Sequence, residues 1–108
     1  MQPLPNPSAP AVAVVVATHE RASLLPRLVA ALEGQLDAPE FEVVIVDDGS
    51  TDDTWTVLGH LAARSSIRIR PIRLVRNRGP ATARNIGWRG STAELIVCAV
   101  PAQFIRPA

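Results

Sequence analysis

Phe41-Glu-Val-Val-Ile-Val-Asp-Asp-Gly-Ser50 decides the architecture of this chain. Its apolar stretch is short, β-branched and closed by Asp, Gly and Ser, all turn formers. That is the pattern of a strand buried on both faces and running into a turn. Ser50 stands where a helix N-cap belongs, with Asp53 three residues on in the place of a capping box. Trp55, Leu58, Leu61 and Ala62 then recur at helical spacing and predict a helix through Arg64. A buried strand feeding a helix through a tight turn is half of a βαβ unit.

Towards the N-terminus the same unit recurs. Ala11-Val-Ala-Val-Val-Val-Ala17 predicts a second buried strand. Leu24, Leu25, Leu28, Val29, Ala31 and Leu32 predict a helix from Ala22 to about Gln35, opened by Ala22 or Ser23. Pro26 fits its first turn and Gly34 its end. Towards the C-terminus, Ile67 to Val75 alternates apolar residues with Arg and is interrupted by Pro71, which predicts an edge strand over Ile72 to Val75. Asn77-Arg-Gly-Pro80 reads as a turn, with Pro80 opening a helix that runs to about Gly87 or Arg89. Glu94 to Val100 predicts a fourth strand, closed by Pro101. The order β-α-β-α-β-α-β, with right-handed crossovers, predicts an α/β fold: a mainly parallel four-stranded sheet with helices on both faces. Residues 1–10 hold four prolines and predict a flexible lead-in; residues 11–100 carry the folded pattern; residues 101–108 carry none.

Composition narrows the function. The chain has 108 residues, 47% apolar and 19% charged, as a globular domain does. A net charge of +1 implies no bulk attraction to nucleic acid or to an anionic membrane. All eleven basic residues are Arg, and eight lie from Arg64 to Arg89, a stretch that holds no Asp or Glu. Arg suits bidentate phosphate binding, and a solvated basic face accounts for the clustering equally well. The longest apolar run has seven residues, far short of a membrane span, and Met1 to Pro10 is unlike a signal peptide. A single cysteine, Cys98, excludes an internal disulfide and reads as a small buried hydrophobe. His19 and His60 have no partner at metal-site spacing.

A parallel sheet binds ligands beyond the carboxyl ends of its strands, near the point where strand order reverses. Three segments fall there: Thr18-His-Glu-Arg21 after the first strand, Asp47-Asp-Gly-Ser50 after the second, and the Gly79 turn with its helix after the third. In Asp47-Asp48-Gly49-Ser50 two adjacent carboxylates repel one another and need partners, and a nucleobase ring N–H is a natural one; turn formation plus helix capping explains the same residues. Arg78 to Gly87 offers a helix N-terminus with small residues, and Arg84 and Asn85 lie one turn in, within reach of a phosphate or base. Close packing of Ala and Gly on the sheet explains that segment as well.

Taken together, Val14-Val-Val-Ala-Thr-His-Glu-Arg21, Val44-Ile-Val-Asp-Asp-Gly-Ser-Thr-Asp52 and Arg76-Asn-Arg-Gly-Pro-Ala-Thr-Ala-Arg-Asn-Ile-Gly87 resemble three successive signatures of family 2 glycosyltransferases. Order and spacing both match, over about residues 12 to 98. The resemblance implies the N-terminal part of a GT-A domain, a Rossmann-like nucleotide-diphospho-sugar transferase fold. It implies inverting transfer from a UDP- or GDP-type nucleotide sugar to an acceptor hydroxyl, in polysaccharide or cell-wall biosynthesis. It also implies a cytoplasmic location, at the inner membrane face for many members. It assigns nucleotide-sugar contacts to Thr18, Glu20, Asp47, Asp48 and Arg84, with Asp48 resembling the acceptor for a uracil ring N–H. His19 and Glu20 stand where the family commonly has Tyr-Asn.

One part of the family pattern is missing. The family's fourth strand leads into an Asp cluster that holds Mg²⁺ or Mn²⁺ against the diphosphate, and its general base lies further downstream. Here the strand is followed by Val100-Pro-Ala-Gln-Phe-Ile-Arg-Pro-Ala108, and no acidic residue occurs after Glu94. The expectation is therefore a truncated chain with no complete metal site, no assignable catalytic residue and no turnover, prone to self-association through an exposed sheet edge. Two alternatives remain: a non-catalytic nucleotide-binding module, and a nucleotidyltransferase on a similar fold. The latter usually carries a Gly-rich loop after the first strand, and Thr18-His-Glu-Arg21 has no Gly.

Overall fold

A computed structural model describes residues 12–35, 41–91 and 95–98. The elements are β1 (Val12–Thr18), α1 (Leu25–Gln35), β2 (Phe41–Asp47), α2 (Thr54–Arg64), β3 (Arg68–Arg73), α3 (Pro80–Arg89) and β4 (Leu95–Cys98). They form one four-stranded sheet in the order β3-β2-β1-β4. Every pairing is parallel, as the βαβ reading requires. The chain winds outward from β1 to β3, then returns past β1 to β4. The order therefore reverses beside β1, which places a ligand crevice at the carboxyl end of that strand.

Alternation along the strands builds two cores. Val14, Val16, Val43 and Ile45 point to one face and pack with Leu25, Leu28, Val29 and Leu32 of α1 and Leu58 of α2. Val15, Val44 and Val46 point to the other, where Ala83 of α3 joins them. Residues 43–46 of β2 are wholly buried, so this strand needs apolar side chains on both faces. Each such valine contributes roughly 1.5–3 kcal/mol of burial. Helix α3 sits close because Gly87 lacks a side chain: a Cβ there would lie 2.6 Å from Val15 Cγ1 and 3.0 Å from Val46 Cγ2.

Four boundaries differ from expectation. Helix α1 begins at Leu25 rather than at Ala22 or Ser23, which lie in the turn before it. Helix α2 begins at Thr54, and its N-cap is Asp53 with no side-chain cap bond. Ser50 is not that cap, because its hydroxyl is engaged by the loop after β1. Gly34 lies inside α1, which continues to Gln35. Strand β3 covers Arg68–Arg73 rather than Ile72 to Val75. It pairs with β2 from Glu42↔Arg68 to Asp47↔Arg73, and Pro71 sits opposite Ile45. An edge strand leaves one side of its backbone unpaired, which accommodates the missing proline N–H. Val75 lies beyond the strand and is 98% exposed. The expected lead-in over residues 1–10, the tail over residues 101–108 and the side chain of Cys98 lie outside what is described.

Candidate active site

Three loops meet at the carboxyl end of the sheet, and named bonds hold each to the next. The β1–β2 pairing continues one step past the strands, with the Asp48 N–H donating to the Thr18 carbonyl at 2.7 Å. Gly49 then turns at φ +68° and lies on the backbone of the third loop. A Cβ on Gly49 would stand 2.2 Å from both the carbonyl carbon of Arg76 and the nitrogen of Asn77. A residue without a side chain is thus required twice over, by conformation and by space.

The loop after β1 is clamped by hydroxyls from the loop after β2. Glu20 has φ +50°, rare for a residue with a side chain. Its N–H donates to Ser50 Oγ at 2.7 Å, and its Oε1 accepts from Thr51 Oγ1 at 2.6 Å. The Arg21 N–H donates to Thr54 Oγ1 at 3.0 Å. Asp52 Oδ1 in turn accepts the Thr54 N–H at 2.9 Å and the Thr54 hydroxyl. The Thr54 hydroxyl first, and then its N–H, hold the Asp52 carboxyl below the ordinary aspartate value. His19 packs into the same junction. A carbonyl can only accept, so His19 Nδ1 donates to the Asp48 carbonyl at 2.8 Å, which leaves Nε2 3.8 Å from Glu20 Oε2.

The two adjacent carboxylates separate to opposite faces of the sheet. Asp47 shares the face of Val43 and Ile45, is wholly buried, and accepts the Ser50 N–H through Oδ1 at 3.1 Å. Its Oδ2 has no partner among the described residues. Asp48 turns to the α3 side. Its Oδ1 accepts the Arg78 N–H at 2.7 Å and its Oδ2 the Gly79 N–H at 2.9 Å. Gly79, at φ +94°, caps α3, and Pro80 is the first helical residue.

Between these loops lies a cleft of about 320 Å³, with an apolar floor of Val16, Leu24, Leu25 and Leu28 and a rim of Thr18, His19, Arg21, Asp48, Asn77 and Pro80. Small-molecule sites are typically of roughly 300–1,000 Å³ and of this mixed character. Of the residues expected in a site, Thr18 and Asp48 meet at the cleft. Asp47 lies beneath the loops, Glu20 is exposed and bonded to Thr51, and Arg84 is half-buried on α3; none of the three lines the cleft. The segment Thr18 to Arg21 was placed at the crevice from the sequence without a contact assigned to His19 or Arg21, and Asn77, Leu24, Leu25 and Leu28 were not singled out for it. Asn77 read as a plain turn residue and the leucines as core, and nothing local distinguishes those roles. The Arg cluster is used for packing more than for the cleft. Arg70 donates to the Gly90 carbonyl, Arg73 stacks over Trp55 at 5.6 Å and Arg89 over Trp88 at 5.9 Å.

The described residues do not fit the divalent metal that the resemblance implies. Among them no three His, Cys, Asp or Glu side chains are grouped to hold an ion. A hard cation needs carboxylate oxygens open to it, whereas Asp48 is committed to two backbone amides and Asp47 is sealed beneath the loops. The segment that follows β4 lies outside the described residues.

A parallel α/β sheet with a cleft at its switch point, walled by three polar loops, defines a Rossmann-like ligand-binding domain. The sequence profile of glycosyl transferase family 2 matches residues 13–99, and the chain belongs to that family. It is 38% identical over 85 residues to the succinoglycan biosynthesis protein ExoU of Rhizobium meliloti, covering 79% of this chain and 26% of that protein. The mannosyltransferase PcManGT from Pyrobaculum calidifontis, solved in complex with GDP-Man and Mn²⁺, superposes with a TM-score of 0.72 at 29% identity, over 82% of this chain and 26% of its own. S. aureus TarS 1–349 in complex with UDP gives 0.72 at 28% identity, over the same shares. The fold is that of the GT-A glycosyltransferases. The chain spans about a quarter of the length of these relatives.

Proposed function

We propose that this chain forms the nucleotide seat of a family 2 glycosyltransferase, binding a UDP- or GDP-type nucleotide sugar at the end of β1. The observation that carries this reading is the cleft itself, placed at the switch point with Thr18, His19, Arg21 and Asn77 on its rim. The GDP-Man complex of the Pyrobaculum enzyme and the UDP complex of TarS support a nucleotide ligand. In the whole domain the bound donor would give up its sugar to an acceptor hydroxyl with inversion. The described residues supply recognition and not transfer. An inverting transfer needs a carboxylate free beside the sugar carbon, and among the described residues the acidic side chain on the rim is Asp48, which accepts two backbone amides.

Calorimetric titration of the chain with UDP, GDP and their sugars, with and without Mn²⁺, tests this. The expected result is weak saturable binding, of the order of 0.1–1 mM or about 4–5.5 kcal/mol, insensitive to metal and without hydrolysis or transfer. Absence of saturable binding at tens of millimolar would sink the nucleotide seat. Turnover by this chain would sink the division between recognition and transfer.

A further inference from the structure

We infer that Ser50 and Thr54 are positioning residues: their hydroxyls set the conformation of the loop between β1 and α1, and through it the affinity of the cleft for a nucleotide. This rests on the nucleotide seat proposed above. The loop carries Thr18, His19 and Arg21 on the cleft rim and leads into Leu24, Leu25 and Leu28 of its floor. Backbone pairing with β2 extends to the Thr18 carbonyl, which accepts the Asp48 N–H at 2.7 Å. Beyond it, two consecutive amides are met by side-chain oxygens instead. Ser50 Oγ accepts the Glu20 N–H at 2.7 Å, and Thr54 Oγ1 accepts the Arg21 N–H at 3.0 Å.

Both hydroxyl residues are buried, and neighbouring bonds aim them. The Thr54 hydroxyl gives its hydrogen to Asp52 Oδ1, which leaves its lone pairs for the Arg21 N–H. Ser50 is fixed through its own N–H on Asp47 Oδ1 at 3.1 Å. Ser and Thr beside a helix start ordinarily cap that helix. Here both oxygens reach across to the loop after β1, and α2 has no side-chain cap bond. The conformation they hold needs holding, because Glu20 stands at φ +50°, a region that residues with side chains seldom occupy. Arg21 passes the constraint on: its carbonyl accepts the N–H groups of Leu24 and Leu25 at 2.9 and 3.1 Å. Thr54 thus fixes the residue that both stands on the rim and starts the turn into the floor.

Titration of UDP and GDP into wild type, Ser50→Ala, Thr54→Val and Thr54→Ser, with amide hydrogen exchange along the chain, tests this. Thr54→Val keeps the side-chain shape and the N–H that Asp52 accepts, and Ser50→Ala keeps the N–H that Asp47 accepts. Each removes the acceptor of one loop amide and little else. A lost hydrogen bond shifts a local equilibrium by up to about tenfold, and apparent affinity falls with the fraction of chains in the binding conformation. Both variants should bind UDP and GDP about three- to tenfold more weakly, with faster exchange at Glu20 and Arg21 and protection kept in β2 and α2. Thr54→Ser retains the oxygen and should restore affinity and protection. A merely structural role would lower the melting temperature and speed exchange throughout, while the folded protein bound as wild type does; that result overturns the inference. So does a Thr54→Ser variant that binds no better than Thr54→Val. Should Thr54→Val not fold, Ser50→Ala decides alone, and unchanged affinity there overturns the inference. Failure of wild type to bind either diphosphate strikes the nucleotide seat instead, and exchange at Glu20 and Arg21 still reads whether the hydroxyls hold the loop.

Discussion

Gly87→Ala and Gly59→Ala make the same chemical change on two helices and should shift stability in opposite directions. Both glycines lie in helix interiors, where alanine is favoured by about 1 kcal/mol. Around Gly59, on the exposed side of α2, a Cβ would meet nothing within 4 Å, so the full propensity gain should appear. At Gly87 the Cβ would enter the seam between α3 and the sheet, 2.6 Å from Val15 Cγ1 and 3.0 Å from Val46 Cγ2. Ordinary contact begins at 3.4 Å, so Val15 or the helix must give by 3.4 − 2.6 = 0.8 Å. Neither moves easily. Val15 is fully buried and β-branched, and α3 is tied to β2 through Asp48 and the Gly79 turn. Overpacking of this kind costs about 1–3 kcal/mol. Net of the propensity gain, Gly87→Ala should destabilise by up to about 2 kcal/mol, against a gain of about 0.5–1 kcal/mol for Gly59→Ala. Urea unfolding at constant m-value reads both, as midpoints on either side of wild type. Adding Val15→Ala should relieve the clash, so the double variant loses less than the two single losses together. If Gly87→Ala proves as stable as Gly59→Ala, close approach of α3 does not depend on that glycine and the reasoning is wrong.

Further outcomes follow from the same geometry. Gly49→Ala faces both a positive φ and two backbone atoms at 2.2 Å, so it should destabilise by more than about 2 kcal/mol and abolish nucleotide binding; near-normal titration curves would refute this. Asp47→Asn keeps the Oδ1 acceptor for the Ser50 N–H and removes a buried carboxylate oxygen that lacks a donor among the described residues, so thermal unfolding should be unchanged or raised. A marked fall in melting temperature would mean that Oδ2 has a donor. Glu33 Oε2 accepts the Ser65 hydroxyl at 2.6 Å and the Ser66 N–H at 3.1 Å, and these bonds, the hydroxyl first, hold its carboxyl below the ordinary 4.5. A lowered folded-state value means that the contribution is present above pH 4.5 and lost as pH falls through the folded value. Glu33→Gln should therefore flatten the acid side of the stability profile without changing its shape above pH 6, as urea midpoints across pH 2.5–7 would read.

Much of the fold was legible locally because period and punctuation agree. Six consecutive Val and Ala residues in β1 and four Val and Ile residues in β2 are too short and too β-branched for a buried helix and read as doubly buried strands, and Pro80 could open a helix but not continue one. The errors fell where a residue has two local uses. Ser50 had the sequence of a helix cap, yet its hydroxyl is taken by the Glu20 N–H thirty residues away, a bond that depends on β1 and β2 lying side by side. The start of β3 was placed too late because Pro71 interrupts the alternation that begins at Ile67, and only pairing with a fully buried β2 shows that the strand runs through that proline. The segments after β1 and β2 were placed at the crevice by their position and the resemblance picked out Thr18 and Asp48, whereas nothing local marked His19, Arg21 and Asn77 as side chains that line it.

By itself the sequence determined the element order, the two faces of each strand, the family and the three loops that make the crevice, because periodicity, turn chemistry and motif spacing are properties of neighbouring residues. Tertiary structure alone decided what Asp47 and Asp48 do. They are adjacent and chemically identical, but strand alternation sends one beneath α1 and α2 and the other to the amides of Arg78 and Gly79. The clamp on Asp48 is set by bonds between loops about thirty residues apart, and no local pattern encodes those.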